Sequence, residues 1–142
     1  MSKLIAHAST ICLPVGKKWR GVLISGPSGV GKSDLTLRAL EAGFKLVADD
    51  YSLLWTSSER VFARAPDTIA ERIEVRGIGI LDMPARALSA IDLVVHCQND
   101  PIERVPEAEV TLILGQPLPT LRLNPREASA VAKLLARLRL VS

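Results

Sequence analysis

The residues best suited to chemistry form one run, Gly26-Pro27-Ser28-Gly29-Val30-Gly31-Lys32-Ser33. A glycine, four residues and then Gly-Lys-Ser is the spacing that binds phosphate groups when a strand precedes it and a helix follows. The glycines let the backbone turn so that successive N–H groups point at phosphate oxygens. A helix beginning near Lys32 adds the partial positive charge of its N-terminus. Lys32 brings a mobile cation for the outer phosphates, and Ser33 a hydroxyl for a magnesium ion. All eight residues are therefore candidate nucleotide-binding groups, with ATP and Mg2+ as the expected ligands.

Two acids, Asp49 and Asp50, follow the apolar run Leu46-Val47-Ala48. A carboxylate at a strand end beside a phosphate loop can reach bound magnesium or accept a proton from an incoming hydroxyl. Adjacent strand residues face opposite ways, so the two acids divide these roles, and the sequence leaves the division open.

The elements that must position these groups read as follows. A strand is expected from Leu4 to Leu13, a turn over Pro14 to Lys18, and a short strand, Gly21 to Ser25, feeding the loop. A helix should run from Lys32 to Ala42, with Gly43 as a left-handed terminator. Phe44 to Ala48 is the next strand, and Leu53-Leu54-Trp55 with Val61-Phe62-Ala63 forms a hairpin around Ser57-Ser58-Glu59. Ile73 to Arg76 and Ile78 to Leu81 flank Gly77, and Ile91 to Cys97 and Thr111 to Leu114 are further strands. Asn124 as cap, Pro125 at the first helical position and Glu127 as the returning partner predict a closing helix. Its apolar stripe is Val131, Leu134, Leu135 and Leu138. The pattern is α/β: a mixed sheet with flanking helices in a single domain over residues 1–142.

Composition narrows the function classes. With two Trp, one Tyr and two Phe, base-stacking platforms and aromatic grooves are not the main business of the chain. The formal net charge of +3 suits an anionic ligand or an acidic partner, and its dispersion argues against nucleic acid. Only Lys17-Lys18-Trp19-Arg20 and the C-terminal stretch concentrate basic residues. Cys12 and Cys97 stand far apart without metal-ligand spacing and read as buried thiols of a reducing compartment. No stretch approaches membrane-spanning length, so a cytoplasmic protein without a membrane partner is expected.

Three blocks in order carry a resemblance: Gly26 to Asp34, Gly43 to Asp50, and Ile73-Glu74-Val75-Arg76-Gly77-Ile78-Gly79-Ile80. Together they resemble the catalytic domain of HPr kinase/phosphorylase, from about Ile5 to Asp82, and the third block is the most specific. The resemblance implies a P-loop fold of the phosphoenolpyruvate carboxykinase type, without the N-terminal domain that full-length members carry. It implies phosphorylation of a serine on HPr, a carrier protein of the sugar phosphotransferase system, in a regulatory role. The reverse reaction would use phosphate and yield pyrophosphate. Members are commonly hexamers, so a homo-oligomer is implied.

By the same resemblance Lys32 contacts phosphates, Ser33 binds magnesium, and Asp50 or Asp49 is the acid/base. Glu74 would be a further magnesium carboxylate, with Asp49 as another candidate ligand. His7 stands where the family has a functional histidine, and Arg76 would steady transition-state charge. The family's late proline-glycine-arginine motif is replaced by Asn124-Pro125-Arg126, and Pro14 to Trp19 reads as an insertion. Two other readings stay open: a small-molecule kinase, since the loop also resembles that of guanylate kinase, and a nucleotide-sensing module without turnover.

Overall fold

A computed structural model describes residues 3–141; Met1, Ser2 and Ser142, the ends of the span read as one domain, lie outside the described residues. The strands are β1 (Lys3–Ala6), β2 (Ser9–Val15), β3 (Lys18–Ser25), β4 (Lys45–Ala48), β5 (Ser52–Ser57), β6 (Arg60–Arg64), β7 (Arg72–Val75), β8 (Gly79–Asp82), β9 (Ser89–Cys97), β10 (Val110–Ile113) and β11 (Gln116–Leu123). Two helices, α1 (Lys32–Glu41) and α2 (Ala130–Leu138), complete the regular structure with one 3-10 turn at Asp67–Ile69.

β9 is the pivot of a nine-stranded sheet. It runs parallel to β3 on one side and parallel to β11 on the other, while its first residues pair antiparallel with β6. From β3 the sheet continues antiparallel through β2 to β4, and from β6 through β5 to β1. The result is a mixed sheet, as the sequence suggests. β7 and β8 pair only with each other.

Continuous apolar runs suit strands covered on both faces, and Val22-Leu23-Ile24 and Leu93-Val94-Val95 behave accordingly. Val22, Ile24, Leu93 and Val95 pack under the helices with Leu35, Ala39, Leu134 and Leu138, while Leu23 and Val94 pack with Leu54, Val61 and Ala63 of β5 and β6. Both helices therefore cover one face, and strands cover the other, so the expected flanking by helices holds on a single side. Each fully buried Leu on the helix face contributes about 1.5–3 kcal/mol.

α1 starts at Lys32 as expected. It ends in a left-handed Gly43 (φ 109°), with Gly43 N–H donating to Leu40 O and Phe44 N–H to Ala39 O, a Schellman closure.

Four elements differ from the sequence reading. The turn expected over Pro14 to Lys18 closes at Gly16-Lys17, with Pro14 paired to Trp19 and Val15 to Lys18. The first strand is two, because the chain steps between sheet partners at His7-Ala8: Ala6 pairs with Ser52, and Thr10 pairs with Ala48. β11 replaces what reads as loop. The last helix begins at Ala130 rather than at Pro125. Asn124 instead closes a turn, its Oδ1 accepting from Arg126 N–H at 3.0 Å, and Glu127 takes Lys133 at 2.8 Å rather than returning to the cap. Pro125 is held against Gly31, and Arg38 donates to the carbonyls of Pro125 and Glu127, so tertiary contacts override the local capping signal.

Candidate functional site

The phosphate loop leaves the end of β3 with three glycines in the left-handed half of φ space: Gly26 at 141°, Gly29 at 79° and Gly31 at 115°. At Gly26 the need is also steric, since a Cβ there would stand 2.7 Å from the carbonyl oxygen of Cys97. Val30 turns its side chain into the core, which anchors the loop from below. Lys32 Nζ donates to the carbonyls of Gly26 (2.6 Å) and Pro27 (3.0 Å). Arg126 Nη2 donates to Gly29 O at 2.8 Å. Two cations thus rest on the loop's own carbonyls.

Facing the loop is a wall of acids. The step from β1 to β2 brings His7 beside the step from β4 to β5, where Asp49, Asp50 and Tyr51 lie. His7 Nε2–H donates to Asp50 Oδ1 at 2.8 Å, and its ring stacks on Tyr51 with centroids 4.7 Å apart. Asp50 adopts a left-handed backbone (φ 67°), a sparsely populated state for a residue with a side chain, and its N–H donates to the buried Ser9 Oγ at 2.9 Å. This bend lets the adjacent acids take different directions. Asp49 Oδ2 accepts the N–H of Glu74 at 3.0 Å, which ties the β7–β8 hairpin to the sheet. Burial pushes the Asp49 carboxyl above its ordinary range, the Glu74 N–H opposes that, and the charges of Asp50 and Glu74 add to it.

Between loop and wall lies a cleft of about 440 Å3, lined by His7, Ser28, Gly29, Gly31, Lys32, Ser33, Asp50, Glu74, Arg76 and Arg126, with Asp34, Leu37 and Val75 beside them. Of the residues singled out from sequence, His7, Asp50, Lys32, Ser33, Glu74 and Arg76 meet in it. Gly26, Pro27 and Val30 shape the loop from behind, and Asp49 stands outside the lining. Sequence reasoning met Arg126 only in Asn124-Pro125-Arg126, at the place of the family's late motif, and did not place it in the cleft. It missed Ser9 entirely, since a hydroxyl that supports a residue 41 positions away leaves no local signal.

The donors also bear on a metal. Among the described residues no three His, Cys, Asp or Glu side chains converge as a cage. Magnesium rarely uses one, taking one or two carboxylates together with substrate phosphates and water. Ser33, Asp50 and Glu74, all hard oxygen donors lining one cleft, fit a magnesium ion that arrives with a nucleotide.

A sequence profile described as the HPr Serine kinase C-terminal domain matches residues 18–136. The chain belongs to that family. This HPr kinase-family chain is 42% identical over 87 residues to the HPr kinase/phosphorylase of Latilactobacillus sakei subsp. sakei (strain 23K), covering 56% of this chain and 28% of that protein. It is 38% identical over 112 residues to the HPr kinase/phosphorylase of Variovorax paradoxus (strain S110), covering 69% and 35%. The matched part thus spans about a third of the length of such relatives. The structure of the Hpr(Ser) kinase/phosphatase from Coxiella burnetii superposes with a TM-score of 0.79 at 24% identity over 94% of both chains, so the two share a fold. Among the described residues of this family member no helix is long and apolar enough to cross a membrane.

Proposed function

We propose that this chain is the catalytic part of a cytoplasmic, ATP-dependent protein serine kinase acting on an HPr-type carrier protein, on a P-loop domain of the phosphoenolpyruvate carboxykinase type. The observation that carries the reading is the His7–Asp50 pair, which faces Lys32 and Ser33 across one cleft. A phosphate loop alone supports only binding; a carboxylate oriented opposite it supports transfer.

ATP binds as substrate with its phosphates on the loop N–H groups. Lys32 exchanges the carbonyls of Gly26 and Pro27 for phosphate oxygens. Asp50, with one oxygen engaged by His7, keeps its other oxygen for the carrier's serine hydroxyl and takes that proton as the serine oxygen attacks the outermost phosphorus. The bond from that phosphorus to the bridging oxygen breaks, and ADP leaves. Arg76 and Arg126 stand where charge builds on the transferring group. Asp49 positions the hairpin that carries Glu74 and Arg76. Ser33 and Glu74 would hold magnesium, which neutralises phosphate charge when bound. In the reverse reaction an oxygen of inorganic phosphate attacks the phosphoserine phosphorus, the bond from that phosphorus to the serine oxygen breaks as Asp50 gives that oxygen a proton, and pyrophosphate leaves. Assembly into a homo-oligomer belongs to the same proposal.

The test is incubation of the chain with labelled ATP, magnesium and a panel of HPr-type carriers. Labelling of a carrier serine, lost when that serine is replaced by alanine, is the expected result. Tight ATP binding with no carrier labelled would replace this reading by a nucleotide-sensing module. Labelling of nucleoside monophosphates instead would replace it by a small-molecule kinase.

A further inference from the structure

The basic run Lys17-Lys18-Trp19-Arg20 takes no part in the cleft. It opens β3 at the end opposite the phosphate loop, and with eight residues in the strand the two ends are roughly 25 Å apart. A separate cavity of about 590 Å3 lies there, lined by Lys18, Trp19, Arg20, Arg60 and Asp92. Three cations and one carboxylate face it.

The carboxylate is placed by a break in the sheet. Gly21 pairs with Ile91 and Val22 with Leu93, so Asp92 is the extra residue of a β-bulge, a device that re-aims a side chain. Asp92 Oδ2 accepts the N–H of Gly21 at 3.2 Å. Its Oδ1 is shared by Arg20 Nη1 at 3.4 Å and Arg60 Nη2 at 3.5 Å, both longer than the 2.7–2.9 Å of a well-made charge-assisted bond. Arg20 is only 12% exposed, and its Nε is buried with no hydrogen-bond partner. A buried guanidinium donor left unsatisfied is costly. A simple ion pair locking β3 to β9 would draw these distances in and use that nitrogen. Trp19 closes one side of the cavity, with the guanidinium of Arg86 stacked 4.1 Å over its ring.

We infer that Lys18, Arg20 and Arg60 form a second anion site, remote from the cleft, that takes a small, multiply charged oxyanion: a phosphate group or a polycarboxylate. Asp92 serves as the stand-in counter-ion. Its Oδ1 gathers both guanidiniums at the cavity with long contacts only, and the incoming oxyanion supplies the short bonds they lack. The site depends on nothing in the kinase reading.

Trp19 is its built-in reporter. The full chain carrying Trp55→Phe, which leaves Trp19 as the sole indole, and Lys32→Ala, which blinds the phosphate loop, is titrated with inorganic phosphate and separately with citrate. Chloride holds ionic strength constant, so that screening is not read as binding. The amide resonance of Gly21 is followed in parallel, and the same titration with Lys32 restored guards against a folding defect of the double variant. A saturable change at Trp19 and Gly21 is expected, weakened about tenfold by Arg60→Gln and largely kept by Arg60→Lys. Saturation by phosphate alone assigns a phosphoryl ligand, and by citrate alone a carboxylate; both uphold the site. A non-saturating response, or one unchanged in Arg60→Gln, overturns it. So does a response to poly-glutamate with none to phosphate or citrate, which would make this surface a dock for an acidic protein.

Discussion

The two walls of the cleft are held by different physics. The phosphate loop is a backbone structure: its shape comes from glycines at Gly26, Gly29 and Gly31 and from one apolar anchor, Val30. The acidic wall is a side-chain structure assembled across distance. His7 meets Asp50 from 43 positions away, and Asp49 meets the Glu74 amide from 25. The loop takes its shape from its own residues, and remote partners, Pro125 against Gly31 and Arg126 on the Gly29 carbonyl, only brace it. The acidic wall depends on several, and it stores strain in the left-handed Asp50 that His7 and Ser9 must hold. A binding surface can be built from one contiguous stretch, whereas a proton acceptor needs an orientation that only long-range contacts impose.

The sharpest way to break this comparison is to remove one group from each wall. Asp50→Asn should lower phosphoryl transfer about 10²–10⁴-fold while nucleotide affinity stays near that of the parent, in single-turnover and equilibrium binding measurements. Lys32→Ala should show the opposite pattern, with nucleotide binding lost first. Equal losses of binding in both would mean that the walls are not separable.

Next in size is Gly26→Ala. The added Cβ meets Cys97 O at 2.7 Å in a backbone state that favours glycine. It should cost roughly 1–3 kcal/mol in denaturant unfolding and weaken nucleotide binding as well.

Ser9→Ala tests the support of the strained residue. It leaves the Asp50 N–H without its acceptor and should cost about 1 kcal/mol, with a fall in turnover rather than in nucleotide affinity.

The smallest effect belongs to Asp49→Asn, which keeps an oxygen for the Glu74 N–H and should change stability at neutral pH by less than about 1 kcal/mol. Its signature is in pH. Burial raises the Asp49 pKa on folding, so the folded state holds that proton more tightly than the unfolded chain does. The resulting stabilisation is complete below the ordinary carboxylate value of 3.8 and disappears as pH climbs through the raised one. The parent should therefore gain stability relative to the variant on acidification, in melts across that range.

Legibility followed the same division. The glycine-rich turn between β3 and α1, α1 itself and its Gly43 terminator could be read directly, because each is specified by neighbours in the chain. The α/β class and the central strands could be read too, since Val22-Leu23-Ile24 and Leu93-Val94-Val95 are apolar on both faces.

β11 was hidden by Pro117 and Pro119, which argue against a strand. Thr120 N–H donates to Glu109 O, so alternation turns the nitrogens of both prolines away from β10, and pairing with β9 begins only at Thr120. The strand never asks those prolines for a bond. The cap at Asn124 was legible as chemistry but misplaced as structure, because Pro125 and Arg126 are claimed by the phosphate loop. Asp49 and Asp50 were visible as a pair, yet their division of labour lay in a backbone bend and in partners such as Ser9 that no local pattern announces.

β9 touches more of the molecule than any other strand. It shares edges with β3, β11 and β6, and Leu93, Val95 and Cys97 along it are fully buried. Its amides cannot meet solvent by fraying at one margin, because each margin is another strand of the same sheet. In hydrogen–deuterium exchange the Leu93 to Val95 amides should be the last to label, at the rate of whole-molecule opening. The β7–β8 hairpin, which pairs only with itself and carries Glu74 and Arg76 to the cleft, should label far sooner. Glu74 and Arg76 therefore sit on a two-stranded element outside the main sheet, fastened to it through the Asp49–Glu74 bond, while β9 lies in the interior of that sheet.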